Sequence, residues 1–135
     1  MAVTVYLDTS FLMLSAKFHL DVLSEAENLI QRRVQFIVPS AVLEELRGLA
    51  HDQGAPGRDA RVALKLAKAS RVRCLPSEAA LDADTILIET AKLPDTIVAT
   101  ADSAIRKKLR AIDKPVIFLR EKAKLELEGI EASYW

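Results

Sequence analysis

The chain has 135 residues, half of them hydrophobic, enough for one domain with a single continuous core, so disorder is not its default state. Nineteen Lys and Arg offset nineteen Asp and Glu, which removes the global basic footprint of a general nucleic-acid binder but leaves room for local patches. The longest uncharged apolar runs are strand-sized, well under the roughly 18 residues that cross a bilayer, and Asp8 arrives too early for a secretory leader, so no membrane partner and a cytoplasmic location are expected.

In chain order, Val3 to Leu7 reads as a first strand. Phe11-Leu12-Met13-Leu14 then opens one helix, and Val22, Leu23, Ala26, Leu29 and Ile30 keep helical spacing on another. Val34 to Val38 forms a second strand, broken by Pro39. Pro39 or Ser40 opens a helix with Val42, Leu43, Leu46 and Leu49 on one side and Glu44 and Glu45 along it. Gly54-Ala55-Pro56-Gly57 is a breaker cluster expected to end that helix. From Arg58 to Ala69, Ala60, Ala63, Leu64 and Ala67 alternate with Arg61, Lys65 and Lys68, an amphipathic helix with a basic face. Val72 to Leu75 is a third strand. It holds Cys74, the single cysteine, which excludes an intrachain disulfide and is expected as a small buried residue.

Leu81 to Lys92 reads as a helix with Asp82 or Asp84 in its first turn, where the helix dipole favours a carboxylate and a capping role competes with any other. Thr96 to Thr100 is a fourth strand, followed by Asp102 and a helix over Ser103 to Ala111; taken alone, Asp102 also reads as an N-cap. Val116 to Leu119 is a fifth strand. After Arg120, Leu125 and Leu127 are taken as helically spaced, ahead of Gly129 and an exposed Tyr134-Trp135 end. His19 and His51 are placed on helices as surface or packing residues. The alternation predicts an α/β domain over residues 1–135, with a mostly parallel sheet of four to five strands and residues 121–135 as a C-terminal extension.

Asp8, Glu45, Asp84 and Asp102 each stand behind a strand-like run or within a helix-like one. If the strands are parallel, Asp8 and Asp102 emerge near their carboxyl ends, where open α/β sheets bind ligands. Hard cations such as Mg²⁺ and Mn²⁺ prefer such oxygen donors, and carboxylates brought together without a cation repel one another and shift their pKa values upward. Metals of this kind lower the pKa of a water and neutralise charge at a phosphodiester, which makes a side-chain nucleophile unnecessary. Other phosphate chemistries lack their residues. No Walker-type loop is present, because the Gly54 cluster neither follows a strand nor precedes Lys-Ser or Lys-Thr. Ser10 stands where a haloacid-dehalogenase phosphatase needs a second Asp, and Arg73-Cys74-Leu75-Pro76 stands where a response-regulator receiver needs one.

The ordered set Leu7-Asp8-Thr9-Ser10-Phe11-Leu12, Pro39 to Leu46, Asp84-Thr85-Ile86-Leu87 and Val98-Ala99-Thr100-Ala101-Asp102 resembles the PIN-domain ribonucleases over essentially the whole chain. The closing Pro115 to Arg120 and Leu125 to Gly129 look like the archaeal branch related to eukaryotic PIN endonucleases of small-subunit ribosomal RNA processing. The resemblance implies a three-layer α/β/α fold, bound Mg²⁺ or Mn²⁺, and cleavage of single-stranded RNA. It makes Asp8, Glu45, Asp84 and Asp102 the catalytic acids, with Asp8, Asp84 and Asp102 on the metal and Ser10, Thr100 and Asp82 in support. Glu45 is preferred to Glu44 because it directly precedes Leu46, and consecutive helical residues diverge by about 100°. Ser10 replaces a common Asn, Ala101 a common Asn or Arg, and Ala83-Asp84 an Asp-Asp pair. Arg106, Lys107, Lys108 and Arg110 are the expected RNA contacts, with Arg58, Arg61, Lys65 and Lys68 as a second basic stretch. Precursor ribosomal RNA is the expected substrate; the alternatives are an RNA-binding or ribosome-assembly module with little catalysis, and a toxin ribonuclease paired with an antitoxin. A homodimer through apolar surface around Phe11, Leu14 and Phe18 is also expected.

Overall fold

Mostly apolar runs of strand length suit the strands of a parallel sheet, and the five such runs become its parallel part. The computed structural model describes residues 2–78, 80–121 and 124–130. The strands are β1 (Val3–Leu7), β2 (Val34–Pro39), β3 (Val72–Leu75), β4 (Thr96–Ala99), β5 (Val116–Glu121) and β6 (Lys124–Glu128). The helices are α1 (Thr9–Lys17), α2 (Val22–Ile30), α3 (Ser40–Ala50), α4 (Ala55–Ala67), α5 (Ala83–Thr90) and α6 (Ser103–Ala111). Strand order is β3-β2-β1-β4-β5-β6, parallel throughout except that β6 runs antiparallel to β5.

The chain starts at mid-sheet, steps outward through β2 and β3, then returns to lay β4 on the other side of β1. That reversal opens a crevice at the carboxyl ends of β1 and β4, the place where such sheets bind ligands. Side chains alternate across the sheet with period two. Val5, Leu7, Ile97, Ala99 and Ile117 join the core under α1 to α4, while Tyr6, Val98, Val116 and Phe118 join Leu87, Ile105 and Leu109 under α5 and α6. Three layers result. No helix among the described residues is long and apolar enough to cross a membrane.

Several expectations need correction. Five strands are parallel as expected, and a sixth is added because Lys124–Glu128 pairs antiparallel with β5 instead of forming a helix. Leu125 and Leu127 are two residues apart, which is the strand period and puts both on one face; both pack against the larger core. Cys74 is exposed because β3 is an edge strand. Gly54 to Gly57 opens α4: Gly54, at φ +90°, is the N-cap and Pro56 lies in the first turn, where a missing N–H costs nothing. His19 falls between α1 and α2 in a left-handed conformation, φ +53°, not within a helix. Phe11 and Leu14 lie inside the core, so they offer no surface for a homodimer. The Tyr134-Trp135 end lies outside the described residues.

Candidate active site

Asp8 ends β1 and caps α1, which points its carboxylate into the crevice beside β4. It is only 3% exposed. Oδ1 accepts the Thr9 N–H at 2.8 Å, and Oδ2 accepts the Ser10 hydroxyl at 2.9 Å and the Thr100 hydroxyl at 2.7 Å. Both hydroxyl oxygens in turn accept backbone N–H groups, Ser10 from Ala101 at 2.9 Å and Thr100 from Asp102 at 3.0 Å. Those donors occupy oxygen lone pairs and leave the hydroxyl protons to Asp8, so polarity runs from the 101–102 backbone through two hydroxyls to one carboxylate oxygen. Ser10 is shorter than the Asn common at its position, yet its reach suffices for this bridge.

Asp102 caps α6 with Oδ1, which accepts the Ala104 and Ile105 N–H groups at 2.8 and 3.4 Å. Its Oδ2 is not used by the helix, so capping and ligation are compatible in one carboxylate. On α5 the two duties are divided. Asp82 is the cap, accepting the Thr85 N–H at 2.8 Å, and Asp84, in the first turn, makes no hydrogen bond among the described residues. On α3, Glu45 accepts the Thr9 hydroxyl at 2.7 Å, whereas Glu44 is exposed and pairs with Arg47.

Electrostatics ties these groups into one field. Burial raises the Asp8 pKa against the pull of its three donors, and Asp84 adds repulsion. Glu45 is an exposed residue, yet partial desolvation of its carboxylate raises its pKa; the Thr9 bond opposes this, and Asp8, Asp84 and Asp82 add to it. Asp84 is raised by desolvation, then by Asp102 and Asp82, with Lys108 opposing. Asp82 is lowered, mainly by its bond from Thr85. The fold thus gathers all four predicted acids, and Asp84 faces charge from both the Asp8 and the Asp102 sides.

Among the described residues, no group of three or more His, Cys, Asp or Glu side chains is arranged to hold a metal ion directly. The three-aspartate grip expected from the sequence is therefore not preformed. Mg²⁺ needs less, since it is commonly held by one or two carboxylates with waters completing its shell. The donor set is all oxygen, and a cation would offset both the desolvation that chiefly raises three of the pKa values and the repulsion that adds to it, so the residues fit a hard divalent ion.

Two hollows flank the acids. One of about 590 Å³ lies between the start of α3 and the segment before α5, lined by Ser40, Glu44, Glu45, Ser77, Leu81 and Asp82 among others. The other, about 300 Å³, is lined by Asp82, Asp84, Thr85, Ile88, Glu89 and Lys108. Of the predicted RNA contacts, Lys107 and Lys108 are exposed. Arg106 is instead paired with Glu128 at 2.9 Å and lies 3.5 Å over the Phe118 ring, and Arg110 bonds the Lys114 carbonyl and also faces Glu128. These two arginines fasten α6 to the β5-β6 hairpin. Sequence reasoning missed Thr9, whose only signal is its place directly after Asp8, and Ser77, whose hydroxyl accepts the Ala41 N–H and so satisfies the start of α3.

A PIN-like domain family model matches residues 5–122. Ribonuclease VapC4 of Methanocaldococcus jannaschii is 27% identical over 124 residues, covering 91% of this chain and 95% of the relative. The structure of the PIN domain endonuclease Utp24 superposes with a TM-score of 0.78 at 22% identity, covering 94% of this chain and 92% of the other. A domain of a functionally unknown protein from M. jannaschii gives 0.63 at 19% identity, covering 96% and 99%. With a family model spanning most of its length, the chain belongs to the PIN-like domain family.

Proposed function

We propose that the protein is a Mg²⁺- or Mn²⁺-dependent endoribonuclease that hydrolyses phosphodiester bonds of single-stranded RNA. The observation that carries this reading is the buried Asp8, held by three donors at the carboxyl end of β1, its charge opposed by burial and by Asp84. Keeping a charge there works against the fold unless it serves a ligand. Asp8, Asp84 and Asp102 would hold the ion, which supplies Lewis acidity that activates water and neutralises charge building on the phosphate. Glu45 orients the attacking water and accepts its proton, since a carboxylate with a raised pKa is the better base. The water oxygen bonds to phosphorus as the bond from phosphorus to the opposite sugar oxygen breaks, and that oxygen takes a proton from solvent water. Lys108, beside Asp82 and Asp84, and the exposed Lys107 hold RNA phosphates without reading sequence.

The ribonuclease name of the M. jannaschii relative supports the same activity. For biological role we favour ribosomal RNA maturation over a toxin with an antitoxin partner, because segment 115–129 resembles the rRNA-processing branch. An RNA-binding or assembly module with little catalysis is the competing reading, and it draws on the absence of a preformed three-residue metal grip among the described residues. Cleavage of a fluorescent single-stranded RNA separates the two. Wild type is expected to cut with Mn²⁺, to stop with chelator, and to lose at least ~10²-fold activity in Asp8→Asn. Undiminished cleavage by Asp8→Asn would refute the assignment, and inactivity of the wild type with Mn²⁺ would favour the module.

A further inference from the structure

Thr9 touches both Asp8 and Glu45. Its backbone N–H donates to Asp8 Oδ1 at 2.8 Å, and its hydroxyl donates to Glu45 Oε1 at 2.7 Å, joining residues 36 positions apart. This is the one hydrogen bond Glu45 makes among the described residues. Asp8, Asp84 and Asp82 all repel that carboxylate, and a long, freely rotating glutamate side chain loses entropy when held in place. Left alone, it would swing outward into solvent. Threonine is well suited to hold it. As the first residue of α1 its backbone is fixed, and its branched Cβ restricts χ1, so the hydroxyl is aimed at little entropic cost.

We propose that Thr9 is a positioning residue of the nuclease reaction, fixing Glu45 relative to Asp8 so that the base and the buried carboxylate address the same water. The proposal rests on the endoribonuclease reading. Thr9→Val keeps the side-chain shape and the backbone bond to Asp8 while deleting the hydroxyl. In Mn²⁺-supported RNA cleavage, kcat is expected to fall about tenfold or more, as for loss of a hydrogen bond to a charged group, with KM little changed. Thr9→Ser should restore kcat, and Thr9→Val should cost nothing further in a Glu45→Gln background. Equal losses in both backgrounds, no loss at all, or failure of Thr9→Ser to rescue would overturn the proposal. A wild type that cleaves no RNA would overturn the nuclease reading alone. The crystal structure of Thr9→Val then decides for Thr9: a Glu45 side chain turned away from Asp8 supports the coupling, and one left in its wild-type place contradicts it.

Discussion

Asp8 is 3% exposed and accepts three hydrogen bonds, whereas Asp84, on the α5 side of the same crevice, is exposed and accepts none among the described residues. The Asp8 side is locked by Thr9 and Ser10 at the start of α1 and by Thr100 just after β4, brought together because β1 and β4 are hydrogen-bonded neighbours in the sheet. The Asp84 side belongs to one helix turn whose capping need is already met by Asp82. One carboxylate is preorganised and the other is unencumbered; in the proposed reaction the first would fix the ion's place and the second would complete its shell.

Activity is where this contrast is most vulnerable. Asp8→Asn and Asp84→Asn should each cost at least ~10²-fold in cleavage, but only Asp84→Asn should leave the melting midpoint of the metal-free protein unchanged, because Asp84 accepts no hydrogen bond among the described residues and its charge is disfavoured by desolvation, whereas an Asn at position 8 sets an amide N–H against groups that donate to Asp8. A marked loss of stability in Asp84→Asn would recast Asp84 as a structural residue. Next, Thr100→Val should hurt the locked side alone. It removes a donor to Asp8 and orphans the Asp102 N–H, at about 1–3 kcal/mol of stability by denaturant titration, while Asp84→Asn stays within about 0.5 kcal/mol as a surface change. Equal costs would erase the distinction. Lys108→Ala probes the open side: KM for RNA should rise several-fold with kcat little changed, and the salt dependence of binding should weaken by roughly 0.7 in slope, one phosphate contact's worth. An unchanged slope would remove Lys108 from the RNA path.

A weaker effect is that of pH on stability. Asp8, Asp84 and Glu45 are raised above 3.8, 3.8 and 4.5, in each case first by desolvation. A raised carboxyl binds its proton more readily folded than unfolded, so its contribution is complete below the ordinary value and is lost as pH rises through the raised one. Asp21, Asp82 and Glu128 act oppositely, lowered chiefly by hydrogen bonds from Ser24, Thr85 and Arg106, and their contribution is lost as pH falls through their lowered values. The metal-free melting midpoint should therefore rise on mild acidification from neutral and fall in stronger acid. A steady fall from neutral would contradict the raised trio, and added Mn²⁺ should suppress the rise.

Five strands were legible because parallel strands carry mostly apolar runs, and the starts of α3 and α6 because Pro39-Ser40 and Asp102 mark them; the start of α4 was not, because it lies inside the breaker cluster itself. Asp8, Asp82 and Asp102 all proved to be N-caps, which shows why cap and ligand readings could not be separated by sequence: at the carboxyl end of a strand one residue can serve both. The sixth strand was missed because Leu125 and Leu127 were given the wrong period. Cys74 was misplaced because an edge position follows from strand order, which local pattern does not encode. Arg106 and Arg110 read as a basic patch until β6 supplied Glu128 as their partner. Thr9 was overlooked because its partner is 36 residues away, and only the packing of α1 beside α3 brings the two together.

Whether the buried carboxylate serves an ion is tested most directly by calorimetric titration of Mn²⁺ into wild type, Asp8→Asn and Asp84→Asn at neutral pH. A binding heat is expected in the wild type that disappears in Asp8→Asn and is weakened in Asp84→Asn, the fixed ligand mattering more than the looser one. Equal binding by Asp8→Asn and wild type would contradict this, because Asp8 would then have no ion to serve.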